Sequence, residues 1–188
     1  MRESTAFRQQ ARADIEGGAR LGGATCAANM RAQVLAKSQQ GVEKVMKAAI
    51  VILTRAGVVI PHVKTAPVTH MQAPITHEVA SFADSIALLA APPGQQVVAP
   101  LQTIARALTR PRRNVIAHLD AIAPSMPAAG ALHIRNTEYP YEVAANDWLH
   151  PSDPGAFTAH ETGWLFAGAD EIVDALDRIV QVIERTVP

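Results

Sequence analysis

The segment from Gly168 to Thr186 sets Ile172, Leu176, Ile179 and Ile183 on one stripe at helical spacing, with Val173 and Val180 beside it. A helix of this length is marginal alone in water, so its apolar stripe has to be buried against another element. That requirement makes the chain a packed globular protein. Asp170 and Glu171 in the expected first turn and Arg185 in the last suit the helix macrodipole. A second long helix is predicted over 27–56. There Met30, Val34, Val42, Val45, Met46, Ala49 and Leu53 share a face, while Arg31, Lys37, Gln40, Glu43, Lys44 and Lys47 fall mostly opposite. Gly57 is placed to cap it.

Between these two helices the signals are shorter. Residues 78–91 read as a helix with Val79, Phe82, Ile86 and Leu89 inward, and 101–110 as another with Leu101, Ile104 and Leu108 aligned. Residues 114–122 suit a helix through Val115, Leu119 and Ile122, but the segment is short. Pro61, Pro67 and Pro74 make 61–77 loop-like. Val58–Ile60 reads as a short strand or buried turn. Ala131–Arg135 alternates as a strand does, and Tyr139–Val143 resumes extended or helical structure. The expected fold class is α+β, with two long amphipathic helices packed on a small, mostly antiparallel sheet and helix exceeding strand. With 188 residues the chain suggests one domain over 26–188, in which 78–122 is a candidate helical insertion. Residues 1–25 read as a flexible basic arm, because Gly17-Gly18 and Gly22-Gly23 bracket a stretch of poor apolar periodicity carrying Arg2, Arg8, Arg12 and Arg20.

Charged residues are scarce at 18%, against about 25% in typical domains, which fits a surface that meets other subunits. A GC-rich genome would raise Ala, Arg, Gly and Pro to the same effect. Residues 1–64 hold ten Lys/Arg against four Asp/Glu, whereas 136–188 hold two against ten. A basic front and an acidic rear suit head-to-tail association of identical subunits, with Asp174 and Asp177 as the acidic contacts. The alternative is neutralisation within the chain, with the first helix packed on the last. Cys26, the single cysteine, permits no intrachain disulfide. No signal-peptide core is present at the N-terminus, and the longest apolar run, Ala48–Leu53, cannot span a bilayer. A soluble, unsecreted, cytoplasmic protein without membrane partners is expected.

No catalytic constellation stands out, and no cofactor or metal is expected. His62, His70 and His77 lack zincin spacing. Cys26, Ser81 and Ser85 have no designated base and no nucleophile elbow. Tyr139, Tyr141, Trp148, Trp164 and Phe166 gather within 28 residues, and serve either as core against the last helix or as an interface.

The strand running into Asn136-Thr137-Glu138-Tyr139-Pro140-Tyr141, the loop after it and the closing helix resemble the neck and tail-completion proteins of long-tailed bacteriophages. The resemblance covers about a third of the chain. The Pro-Val-x-Thr-Gly-x-Leu run of that family has only a distant echo in Pro61–Ala66, the Glu-x-Gly after Pro-Tyr is missing, and 78–122 would be an insertion. The resemblance implies a non-enzymatic subunit of a ring at the head–tail junction, self-associated and in contact with other virion proteins. Two rivals stand beside it. One is a small metal- or ligand-binding enzyme using His150, His160, Asp147, Asp153 and Glu161. The other is an interaction module whose basic arm meets nucleic acid, against which Asp14, Glu16 and the lack of aromatics beyond Phe7 argue.

Overall fold

A computed structural model describes residues 3–59, 79–90, 98–122, 137, 141–144 and 147–186. These form α1 (Glu3–Arg20), α2 (Arg31–Arg55), α3 (Val79–Leu89), α4 (Ala99–Ala107), α5 (Arg110–Asp120), β1 (Tyr141–Ala144), β2 (Asp147–Leu149) and α6 (Ala159–Glu184). Helix exceeds strand, and the sheet among these residues is one antiparallel pair. The fold is a helix-dominated α+β arrangement.

The two long helices pack mainly on each other and on α1. From α6, Leu165, Ala169, Ile172, Val173, Leu176, Val180 and Ile183 are buried, while Ile179 of the expected stripe is half-buried. In α2 every residue from Val45 to Ile50 is buried, so that stretch is enclosed on all sides. It ends in a Schellman turn. Gly57 takes φ +80°, which lets its N–H reach Thr54 O and lets Val58 N–H reach Leu53 O, each at 3.0 Å. Val79, Phe82, Ile86, Leu101, Ile104, Val115 and Leu119 from α3–α5 join the same core as α2 and α6. Helices α3, α4 and α5 therefore share one hydrophobic core with the long helices.

Two expectations are corrected. Residues 3–20 of the supposed flexible arm form helix α1, buried at Ser4, Ala11, Asp14, Ile15 and Gly18. The glycines near its end provide space rather than looseness. A Cβ on Gly18 or on Gly23 would each lie 2.9 Å from the Phe166 ring, which sits between them. The last helix begins nine residues earlier than expected, at Ala159, where the Thr158 hydroxyl caps it by accepting from Glu161 N–H at 3.1 Å. Gly168 is interior to it. It marks close helix packing, since a Cβ there would meet Val115 Cγ2 at 2.6 Å.

β1 and β2 pair Tyr141 with Leu149, Glu142 with Trp148 and Ala144 with Asp147, with an irregularity between Glu142 and Ala144. Residues 61–77, Ala131–Arg135, Asn136 and Tyr139 lie outside the described residues. Val58 and Val59 form no strand.

Candidate functional site

α1 lies against both α2 and α6. Arg8 and Arg12, one turn apart, meet Asp174, Asp177 and Glu184 across the helix contact. Arg8 Nε donates to Asp177 Oδ1 at 2.6 Å and Nη1 to Glu184 Oε2 at 3.1 Å. Arg12 Nη2 donates to Asp174 Oδ1 at 2.6 Å, and its Nε to Asp177 Oδ2 at 3.3 Å. Asp177 thus lies between two guanidinium groups. Ser4 and Thr5 donate their hydroxyls to Glu184, and Arg178 also pairs with Asp174. On the α2 side, the buried Asp14 accepts from Lys37 Nζ at 3.0 Å and Lys44 Nζ at 2.5 Å.

The electrostatics follow from this geometry. Burial pushes the Glu184 carboxyl up, but hydrogen bonds from Ser4 and Thr5 and the charge of Arg8 outweigh it, so the group titrates below the ordinary glutamate range. The hydrogen bond from Arg12, opposed by burial and aided by Arg178, holds Asp174 below the ordinary aspartate range. Asp174 and Asp177, expected to face a neighbouring subunit, are turned instead to α1 of their own chain. The basic front and acidic rear of the sequence meet within the molecule.

Asp120 has a different role. Its Oδ2 accepts from Ala80 N–H at 2.6 Å, capping the start of α3 from the end of α5. Burial, helped by the charge of Glu43 and opposed by the backbone N–H groups of Ala80 and Val79, pushes its carboxyl up to about 6. A carboxyl raised in the folded state favours folding below its unfolded value of 3.8, and that benefit is lost as pH rises through about 6. Asp120→Asn keeps the acceptor and removes the buried charge. It should raise stability by about 1 kcal/mol at neutral pH, after discounting for partial exposure, and leave it unchanged near pH 4. Thermal unfolding at both pH values tests this, and equal shifts at the two would refute it.

The histidine loop serves its own turn. His150 N–H donates to Asp153 Oδ2 at 2.7 Å, and its ring Nδ1 lies 2.8 Å from Ser152 Oγ. His160 and Glu161 belong to the first turn of α6. Among the described residues no group of three or more His, Cys, Asp or Glu is placed to hold a metal ion. No helix among them is long and apolar enough to cross a membrane.

The aromatic group divides. Phe166 is half-buried against Gly18 of α1 and Gly23 of the α1–α2 connection. Trp164 is 41% exposed and meets His118 of α5 edge-on, with ring centroids 4.9 Å apart. Trp148 is 47% exposed on β2, with Val143 of β1 at 49%. Of Tyr141 the structure describes the backbone pairing alone. Phe157 stands in the same stretch but outside the predicted group, and it is the aromatic there that enters the core. A second feature outside the predicted set is Arg106, Arg110, Arg112 and Arg113, a run readable in the sequence as four arginines within eight residues. Comparison with protein-family models, curated proteins and solved structures yields no match.

Proposed function

We propose that the protein is a non-enzymatic structural subunit that associates with further copies of itself through the β1–β2 hairpin. The exposure of Trp148 and Val143 on that hairpin carries this reading. Tryptophan presents a large apolar area with one polar tip and is enriched at interface centres. A two-stranded ribbon is marginal in water and gains from further strands or apolar cover. Asp174, Asp177 and Glu184 of α6 are engaged by α1, which favours an apolar contact between copies over a contact made by Asp174 and Asp177. The sequence resemblance to phage neck and tail-completion proteins makes the assembly a ring in the virion, at the head–tail junction, bordered by other virion proteins.

Light scattering on size-separated protein tests the association. The wild type is expected to be an oligomer and a Trp148→Ala, Val143→Ser variant a monomer with an unchanged helical circular dichroism spectrum. A wild type that stays monomeric at high concentration, or a variant that assembles as before, refutes the hairpin contact. Negative-stain micrographs of the wild type should show closed rings; filaments or irregular particles would count against the connector role.

A further inference from the structure

Among the described residues, two groups of cationic side chains are used differently. Arg8, Arg12, Lys37, Lys44 and Lys47 are spent on carboxylates inside the fold. Four more arginines stand at the α4–α5 corner, two of them exposed and two half-buried. Arg106, near the end of α4, and Arg110, the first residue of α5, are exposed and have no ion-pair partner among the described residues. Arg112 reaches Glu171 at 2.8 Å and Arg113 reaches Asp84 at 3.2 Å, but those carboxylates are 64% and 63% exposed. Arg112 is also held by Ala107 O at 2.6 Å, but Arg113 is 35% exposed, and a pair this open to water contributes about 0–1 kcal/mol, so a phosphate can replace the Asp84 carboxylate there at little cost.

The exposed side of α5 continues the patch. Arg110, Asn114 and His118 follow at four-residue intervals, all exposed, and so share one face of the helix. That face ends at an aromatic, because Trp164 of α6 lies edge-on to the His118 ring and leaves 41% of its surface to solvent. From Arg110 to His118 the rise along the helix is about 12 Å. Guanidinium groups grip phosphate oxygens bidentately, and an exposed indole accepts any base on its face. A duplex would offer the arginines its phosphates but keep its bases stacked away from Trp164.

We propose that the α4–α5 corner binds single-stranded nucleic acid, with phosphates at Arg106, Arg110 and Arg113 and a base stacked on Trp164. This surface is separate from the hairpin, and the inference stands whether or not the hairpin joins copies of the chain.

The test is titration of the full chain with a fluorescein-labelled, mixed-sequence single-stranded DNA, read by anisotropy over a salt series. Binding should weaken with salt along a log–log slope of roughly −2, as expected for about three neutralised phosphates on a single strand. Arg106→Glu with Arg110→Glu should weaken binding at least tenfold. Both side chains are exposed and lack ion-pair partners among the described residues, so circular dichroism should show the fold intact. In a Trp148→Phe background, where Trp164 is the sole remaining tryptophan, the strand should quench its emission. No binding at low salt, undiminished binding by the double variant, or unquenched Trp164 emission at saturation overturns the proposal. So does a preference for the matching duplex, or binding to phosphatidylserine vesicles but not to DNA.

Discussion

Reversing Asp174 and Asp177 together to lysine is expected to destabilise the protein by roughly 3–5 kcal/mol, the range for breaking a buried ion pair. Asp177 dominates, because its side chain is 15% exposed and Arg8 opposite it is 12% exposed. Asp174 is 38% exposed and adds little to the total. The substitution does more than delete partners, since it sets two lysines against Arg8 and Arg12 where water is largely excluded. α1 is the element that should detach first. Its fully buried apolar residues are Ala11 and Ile15, with Phe7 partly buried on the same core, so a good part of its attachment is polar. Urea unfolding gives the loss of stability, and limited proteolysis in the 21–30 connection reports the release of α1. Arg8→Ala should be milder but in the same direction. A charge-reversed protein that unfolds at the wild-type urea concentration would show that the pairs are incidental.

Acid should act on the same contact. The carboxyls of Glu184 and Asp174 are held below their ordinary values of 4.5 and 3.8. Their contribution is therefore complete above those values and is lost as pH falls through and beneath them. Asp120 works oppositely and over the higher window, between 3.8 and about 6. The wild type should accordingly lose stability at both ends of the acidic range for separate reasons, and the charge reversal should flatten the lower limb.

What could be read from the sequence was whatever repeats on one face or sits at a fixed offset. The α6 stripe and the Gly57 turn of α2 are of that kind, because helical period and a left-handed cap leave direct traces in residue order. α1 left none. Its apolar residues are too few for a clear period, and part of what holds it on α6 is charge contributed by residues more than 160 positions away. Opposite charge at the two ends of a chain says that they attract, and does not say whether the contact closes within one molecule or between two. Gly18, Gly23 and Gly168 mislead in the same way: each permits close packing by a residue distant in sequence, yet in order alone they resemble flexible breaks. The aromatic group was legible in composition only. Which members enter the core depends on where α6 starts, and its start was hidden by Gly168.

Phe157 is the clearest instance, and its truncation to alanine should cost about 3–5 kcal/mol. The side chain is 1% exposed and joins the core shared by α2 and α6. Its backbone is fixed as well, since Arg31 Nη1, at the first residue of α2, donates to Phe157 O at 2.9 Å. Thr158 follows immediately as the cap of α6. The residue thus lies where the beginnings of both long helices come together, and alanine there leaves a cavity in a core to which both helices contribute. In a chain of this size the loss corresponds to a fall in melting temperature on the order of 10 °C. Trp164→Ala is the matched control, because it removes a larger ring from a site 41% exposed and should cost about 1 kcal/mol or less. Thermal melts of the two variants decide the matter. If Trp164→Ala proves the more damaging, the core is centred on the exposed aromatic surface, and the assignment of Trp164 to ligand contact fails with it.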